Sequence, residues 1–542
     1  MRSLDDEQRT MRALVGWLNR AQAAQDGERT DEAIACYDRA LQIKPDSLLA
    51  LNGKGSLLGR LKQYDKALSC LDRAVAANPN IFGTRFNRAL ALQNLEKLEA
   101  ALGEYDEALR LKPDHAKAAM NRGMVLQALN RLDEALAAFD ACLERDPDDA
   151  DLLNARGAVL AGLKRWDEAS ASYERALAID PAHLAALNNR AILLLLKGNE
   201  PESLRAFDKI VALAPDHRPA RLHRSFILLR AGDLLRGWKE YEWRRSGSMG
   251  EERASFAGAL WLGKEPIGGK SILVFAEQGL GDTLQFCRYI ELLAAHGAEI
   301  VLRVPPALKA LLRGLPGARI IGTDEPPPQT DFHCALLSLP HAFATELATI
   351  PDRVPYLVPS QERAQRWGER LGVEGDPRQL KVGIAWHGQR RKRAEEADRS
   401  VPLRHFHGLA RVPGVRLISL QKGEGVEELA DVPSDVTIET LGEDFDHGPD
   451  AFLDAAAVMA HLDLIVTIDT SLAHLAGALA RPTWIALKYM ADWRWLLDRS
   501  DSPWYPTARL FRQTSHDDWE GVFATIADAL RIDAEARLVL RT

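Results

Sequence analysis

Two polar clusters in the second half of the chain combine residue types that bind phosphate and move protons. In both, an apolar run typical of a buried strand ends at a polar turn that leads into a helix. The first cluster contains Gly279, Gly281 and Asp282, and the second contains Asp469, Thr470, Ser471 and His474. Glycines let backbone N–H groups approach a ligand, and a helix start with hydroxyl side chains favours an anion. The pattern indicates a phosphate site beside a group that accepts a proton.

Asp282 is the candidate general base, because a carboxylate at that turn would repel phosphate but suits proton abstraction from a hydroxyl. The alternative is that Asp282 caps the following helix. Thr470 and Ser471 are candidate ligands of a donor phosphate, with Asp469 beside them, or one of these three only caps its helix. His474 lies one helical turn further on and faces either the cleft or the core.

Three further side chains are candidates for contact with a charged ligand. His387 follows a predicted strand and is the second candidate for the catalytic base beside Asp282. It would hydrogen-bond a phosphate or a sugar hydroxyl, or it is a structural histidine. Arg399 and Lys422 are candidate cations for contact with a phosphate, with solvated surface charge as the alternative for each. The histidines and cysteines lack metal-ligand spacing, so the sequence predicts no metal and no cofactor.

Short apolar runs alternate with helical segments around these clusters, as in a parallel sheet covered on both faces. The predicted strands are 271–276, 299–304, 381–385, 416–420, 464–468 and 483–487. They predict two Rossmann-like halves, 271–360 and 361–542, with ligands beyond the carboxyl ends of the strands. We expect the C-terminal helix from Trp519 to pack over their junction.

The first half of the chain has an internal repeat. Prolines recur every 34 residues, at Pro45, Pro79, Pro113, Pro147, Pro181 and Pro215. Small residues, then aromatic or large apolar ones, keep the same phase, which predicts a tetratricopeptide array over 1–245 with six repeats and a degenerate seventh. Such arrays form an α-solenoid with a concave protein-binding face. A linker is predicted over 246–270.

An incomplete row of asparagines follows the repeat. Asn87, Asn121 and Asn189 share one repeat position. Side-chain amides at that position would hold an extended peptide backbone, and the alternative is an inner-face helix-turn contact. At the same position of the other repeats stand Gly53, Ala155 and His223.

Charge and composition exclude several classes of partner. The formal net charge is -8, which disfavours nucleic acid as the main partner. The five cysteines are scattered, and no apolar run is long enough to span a bilayer. We expect a cytoplasmic protein without membrane insertion.

The segment Gly281-Asp282, together with residues 469–475, resembles the heptosyltransferase-type GT-B glycosyltransferases. Tetratricopeptide repeats followed by this module resemble bacterial relatives of the protein O-linked N-acetylglucosamine transferase, including the flagellin glycosyltransferases with the same domain order. Further similar stretches are 331–334, 338–340, 419–422, 492–495 and 502–506. The resemblance implies a GT-B fold, Asp282 as candidate base and a nucleotide-sugar pocket at Asp469, Thr470, Ser471 and His474. It also puts Arg399 near a basic residue that contacts the donor phosphates in that family.

The function so implied is a metal-independent protein O-glycosyltransferase that modifies serine or threonine of an acceptor held by the repeats. The resemblance points to flagellin as acceptor and to a CMP-linked nonulosonic acid as donor, while the sequence itself does not separate this donor from a UDP or ADP sugar. Two alternatives are a scaffold whose α/β half only binds nucleotide, and a transferase that acts on a saccharide or lipid.

Overall fold

The structure is a computed structural model that describes residues 4–245, 256–372, 378–388 and 400–540, without the side chains of 4–7 and 538–540. The chain divides into two compact units, 1–213 and 214–542. We call them the repeat unit and the α/β unit. The first ten residues of the predicted linker, 246–255, lie outside the described residues.

The repeat unit consists of six helical hairpins. Its helices are α1 Leu4–Asp26, α2 Thr30–Ile43, α3 Leu48–Arg60, α4 Tyr64–Ala77, α5 Phe82–Asn94, α6 Leu98–Leu111, α7 Ala116–Ala128, α8 Leu132–Leu143, α9 Ala150–Gly162, α10 Trp166–Ile179, α11 Leu184–Leu196 and α12 Glu200–Leu213. Each hairpin packs because a small residue faces a large one. A Cβ on Gly123 of α7 would lie 2.6 Å from the ring of Phe139 in α8. The predicted tetratricopeptide array is confirmed.

The seventh hairpin belongs to the α/β unit. It comprises α13 Arg218–Arg230 and α14 Leu234–Tyr241, followed by a 3-10 turn, Glu242–Arg245. The indole of Trp238 packs edge-on against Trp493 at 5.1 Å and Phe286 at 6.0 Å between ring centroids. Trp238 and Tyr241 are therefore part of the α/β core.

The first sheet is parallel throughout, in the order β1-β5-β2-β3-β4. Its strands are β1 Ala259–Leu260, β2 Ser271–Phe275, β3 Glu299–Val304, β4 Ala318–Gly322 and β5 Phe332–Ala335. Its helices are α15 Leu280–Phe286, α16 Tyr289–Ala295, α17 Pro306–Leu312 and α18 Leu339–Ala342. Strand β1 lies within the stretch 246–270 predicted as a linker, because the N–H groups of Ala259 and Trp261 donate to carbonyls beside β5. The sheet therefore begins before Ser271.

The second sheet is also parallel, in the order β11-β10-β9-β6-β7-β8. Its strands are β6 Leu380–Ala385, β7 Val415–Ser419, β8 Ile438–Glu439, β9 Leu464–Ile468, β10 Thr483–Leu487 and β11 Ala508–Arg512. Its helices are α19 Gln361–Leu371, α20 His407–Ala410, α21 Leu453–Met459, α22 Ser471–Ala478 and α23 Trp519–Leu540. All six predicted strands are confirmed, and the chain is a tetratricopeptide array followed by two parallel α/β sheets consistent with GT-B.

The position of the C-terminal helix differs from the expectation. Helix α23 packs against α20 and β11, because its side chains Val522, Phe523 and Ile526 join the apolar core of the second sheet. It covers this sheet rather than the junction. Among the helices of the described residues, none is both long enough and apolar enough to cross a bilayer.

Candidate active site

The strand order of each sheet marks where a ligand is expected. In the first sheet β2 lies between β3 and β5, and in the second β6 lies between β7 and β9. In each sheet the strands that follow the central strand are first added on one side of it and later on the other side. The connections on the two sides diverge, which opens a crevice at the carboxyl end of the central strand. The loops at these two crevices begin after Phe275 and after Ala385 and Ile468. They contain the two predicted clusters and His387.

A cavity of about 420 Å³ brings the two clusters together. The predicted residues that line it are Gly279, Gly281, Asp282, Asp469, Thr470, Ser471 and His474. Helices α15 and α22 approach closely here, because a Cβ on Gly281 would lie 2.9 Å from the His474 ring and 3.4 Å from the Ser471 Cα. Glycine at position 281 therefore lets the two helix starts meet.

Asp282 has two partners in this cavity wall. Its Oδ2 accepts a hydrogen bond from the Gly279 N–H at 2.7 Å, so the carboxylate caps α15 from the third helical position. Its Oδ1 accepts from the guanidinium of Arg494, with which it forms an ion pair. Asp282 therefore caps the helix, as the alternative interpretation of the sequence expected. Each carboxylate oxygen has two lone pairs, so these contacts leave capacity for a substrate hydroxyl.

Arg494 is held by three side chains. It donates from Nε to Gln285 Oε1 at 2.8 Å, from Nη1 to Asp492 Oδ1 at 2.8 Å and from Nη2 to Asp282. Burial alone would lower the pKa of this guanidinium, but Asp492 and Asp282 raise it above its ordinary value. Arg494 therefore stays charged and fixes the Asp282 carboxylate in place.

The seventh hairpin supplies another part of the cavity wall, through Phe226 of α13 and Tyr241 of α14. The Tyr241 hydroxyl accepts a hydrogen bond from Gln278 Nε2 at 2.8 Å, and burial raises the pKa of this phenol to about 12. It keeps its proton at neutral pH. Gln278 has a positive φ of 66°, an unusual backbone conformation at the turn that precedes Gly279.

The second cluster forms the start of α22. Thr470 is the N-cap residue, but its side chain makes no capping hydrogen bond, and its Oγ1 lies 3.5 Å from Thr467 Oγ1. The hydroxyl is therefore not used up in capping. His474 is only 5% exposed, stacks on Trp495 and has its Nδ1 2.9 Å from the Tyr505 hydroxyl. It lies at the cavity floor with most of its ring in the core.

A second cavity of about 530 Å³ adjoins the first. The residues common to both are Leu280, Gly388, Thr470 and Ser471. His387 and Lys422 line the second cavity, whereas Asp282 lines the first. Lys422 Nζ donates to the Phe445 carbonyl at 3.0 Å, and His387 Nδ1 lies 3.1 Å from Ser400 Oγ. A ligand that spans both cavities must pass Thr470 and Ser471.

The loops around the second cavity are held by side chains that the sequence did not single out. Gln421 Oε1 accepts from the N–H groups of Trp386 and His387, at 3.1 and 2.9 Å. Asp446 Oδ1 accepts from the Asp454 N–H at 2.7 Å, and burial raises the pKa of Asp446. These bonds fix the turns after β6 and β7 and the approach to α21.

The remaining predicted site residues lie elsewhere. Arg399 lies outside the described residues. Asn87 donates to Asn52 Oδ1 at 3.3 Å and Asn189 to Asn154 Oδ1 at 2.9 Å. Asn121 hydrogen-bonds with Tyr105. All three are half-buried in the repeat unit. Their contacts between helices fit the alternative interpretation, and peptide binding by the remaining amide groups stays a prediction.

Arg494, Tyr241 and Phe226 are cavity residues that the sequence did not assign. A signal existed for Arg494, since it lies in the Asp-Trp-Arg-Trp stretch that resembles the transferase family, but no role followed from it. Across the described ranges, no group of three or more His, Cys, Asp or Glu side chains is arranged to hold a metal. Metal-independent chemistry stays a prediction.

Comparison with known families agrees with the architecture. Tetratricopeptide-repeat models match residues 15–47, 46–112, 86–150, 121–183 and 154–218. The model of glycosyltransferase family 9 (heptosyltransferase) matches residues 448–487. This range contains Asp469, Thr470, Ser471 and His474. The chain carries tetratricopeptide repeats and a glycosyltransferase family 9 segment.

Protein FlbA of Caulobacter vibrioides (strain ATCC 19089 / CIP 103742 / CB 15) is a distant relative. It is 27% identical over 321 residues, which cover 55% of this chain and 53% of FlbA. The chain thus spans about half the length of this curated relative.

Two solved structures also resemble the chain. A tetratricopeptide repeat protein from Parabacteroides merdae ATCC 43184 is 18% identical, with a TM-score of 0.41, and the match covers 45% of this chain and 96% of that one. MamA from Desulfovibrio magneticus RS-1 is 20% identical, with a TM-score of 0.30, and the match covers 31% and 96%.

Proposed function

We propose that this protein is an O-glycosyltransferase that moves a sugar from a nucleotide donor to a serine or threonine hydroxyl of an acceptor protein. The family 9 match supports glycosyl transfer, and the repeats support a protein partner. The observation that carries the proposal is the composition of one cavity. Asp282, the hydroxyls of Thr470 and Ser471, and aromatic residues of a repeat hairpin all line it.

The proposed reaction needs a base at the acceptor and positive charge or hydrogen bonds at the leaving group. Asp282 takes the proton of the acceptor hydroxyl while the hydroxyl oxygen attacks the anomeric carbon of the donor sugar. The bond between that carbon and the phosphate oxygen breaks, and the nucleotide leaves with the electron pair. Thr470, Ser471 and the start of α22 stabilise the negative charge on the departing phosphate. Arg494 holds the Asp282 carboxylate in place through their ion pair.

The two cavities suggest how the donor lies. The nucleotide occupies the second cavity near His387 and Lys422, its phosphate lies at Thr470 and Ser471, and the sugar enters the first cavity. His387 binds the nucleotide or a sugar hydroxyl in this arrangement. No cofactor is required. We propose a CMP-linked nonulosonic acid as donor and flagellin as acceptor on the family resemblance, with the reaction in the cytoplasm.

A transfer assay with three donors tests the proposal. The flagellin is purified from cells that lack the gene for the proposed transferase. It is incubated with the purified full chain and with CMP-nonulosonic acid, UDP-N-acetylglucosamine or ADP-heptose. We expect the intact mass of flagellin to rise by one or more sugar units with one donor and an equal amount of its nucleotide to be released.

A matched variant, Thr470→Val with Ser471→Ala, removes both hydroxyls and should abolish the increment. Nucleotide binding without a mass change would favour the scaffold instead. Sugar transfer to a saccharide or lipid but not to protein would favour the third alternative.

A further inference from the structure

Phe226 is an exposed aromatic residue in an otherwise mainly polar cavity. Its side chain is 37% exposed and lines the cavity that contains Asp282. The ring lies 5.9 Å from Tyr241 and 6.4 Å from His223, measured between centroids. A large apolar side chain left partly open in a concave site is a typical anchor for a binding partner.

The hairpin that carries Phe226 is held firmly within the α/β unit. Arg244 pairs with Glu277 at 2.5 Å, next to the glycine turn. Arg230 donates to the Ala491 carbonyl at 3.3 Å, at the loop that precedes Arg494. The aromatic ring is therefore presented by a rigid wall connected to both α/β halves, as a pre-organised binding site requires.

The charges of the first cavity are compatible with a neutral polypeptide. Asp282, Asp469 and Asp492 line it with Arg494, and Arg494 already pairs with Asp282 and Asp492. A neutral polypeptide segment brings no charge that these carboxylates would repel.

The position of Phe226 within the repeat also favours a polypeptide. His223 stands in the seventh repeat at the position of Asn87, Asn121 and Asn189, and Phe226 follows three residues later on α13. Residues three apart lie on the same helix face. Phe226 thus continues, within this repeat, the face that the array is predicted to use for an extended peptide.

We propose that Phe226 and Tyr241 form the acceptor-polypeptide subsite of the transferase. Phe226 packs against an apolar side chain next to the modified residue. Tyr241, whose oxygen already accepts from Gln278, donates its phenol proton to a backbone carbonyl of the acceptor. The seventh hairpin therefore selects the sequence around the glycosylated serine or threonine. This inference rests on the proposed function and names the partner of the same site.

Two variants of the full chain test it, Phe226→Ala and Phe226→Leu, with Leu235→Ala as matched control. Leu235 lies on α14 of the same hairpin, is 44% exposed and does not line this cavity. We would measure transfer to flagellin by intact mass and, separately, the binding of CMP, UDP and ADP by calorimetry. We expect Phe226→Ala to raise the acceptor KM about tenfold, with a smaller change for Phe226→Leu and none for Leu235→Ala. Nucleotide binding should stay within about twofold of wild type.

Three results would overturn the inference, and they are distinguishable. Unchanged transfer by Phe226→Ala, with an active wild type, rejects the subsite and leaves the proposed function intact. Loss of nucleotide binding in a folded Phe226→Ala protein assigns the ring to the donor instead. A wild type that binds nucleotide but never modifies flagellin rejects the acceptor and this inference together. Unfolding curves identify a misfolded variant, in which case Phe226→Leu decides.

Discussion

The carboxylate of Asp282 has a structural task and a proposed chemical one. It caps α15 through Gly279 and pairs with Arg494, and it faces the cavity where the acceptor hydroxyl would lie. Asn at this position keeps the shape and one carbonyl oxygen for the cap but cannot take a proton. We expect Asp282→Asn to lower kcat for flagellin glycosylation by about 10²-fold or more. Initial rates and nucleotide binding, measured on the same preparation, would check this.

Asp492→Asn is the control for this prediction. Asp492 also pairs with Arg494 but is not a candidate base. Its loss should weaken the support of Arg494 and lower the rate less than Asp282→Asn does. Equal losses in the two variants would mean that Asp282 acts only through the ion pair.

The sequence identified the residues that directly follow strands. Gly279, Asp282, Thr470 and Ser471 were predicted as site residues because ligands bind beyond the carboxyl ends of parallel strands. Arg494, Phe226 and Tyr241 were not predicted. They reach the cavity through tertiary packing between distant segments, which no local pattern encodes. Arg399 stays a prediction.

At the level of elements, the 3-10 turn Glu242–Arg245 joins the seventh hairpin to the first sheet. Glu242 accepts from Arg244 at 2.7 Å, and from Arg245 and Ser338 at 3.0 Å each. Burial alone would raise the pKa of Glu242, but Arg244 and these hydrogen bonds lower it from 4.5. The charged carboxylate thus contributes stability at pH values above 4.5. That contribution is lost as the pH falls through the lowered pKa.

Glu242→Gln should therefore destabilise the α/β unit at neutral pH by about 1–3 kcal/mol. The difference from wild type should shrink once the pH is below 4.5. Urea unfolding followed by tryptophan fluorescence at several pH values measures both effects. Glu325→Gln removes a partly exposed pair with Lys309 and should change little. If the loss of stability in Glu242→Gln stays constant with pH, the charged Glu242 carboxylate is not the group that stabilises the unit.

The elements with strong patterns were predicted and the weak ones were not. The 34-residue period predicted the hairpins, and six mainly apolar runs predicted six strands. Strand β4 was missed because its edge position leaves Arg319 exposed, so no continuous apolar run exists. Strands β1 and β8 have two residues each, too few for a periodic pattern. Helix α23 was predicted, but its packing partner depends on the surface of a sheet that the sequence does not display.

For the whole molecule, the boundary of compact units falls before the seventh hairpin, although the repeat pattern continues through it. The repeat pattern reflects local helix packing. The boundary between the units reflects tertiary contacts, because Trp238 and Tyr241 pack in the α/β core and Arg244 pairs with Glu277. A repeat hairpin inside the α/β unit fits the proposed action on a polypeptide. It also explains why one cavity combines a candidate base with aromatic residues from a repeat.

The intact mass of flagellin tests the central claim most directly. It would be compared between cells that lack the gene and the same cells complemented with wild type or with Asp469→Ala. The proposed function predicts a sugar-sized increment with wild type only, and its size names the class of donor. Flagellin of identical mass in all three strains, with the protein expressed and folded, would contradict it.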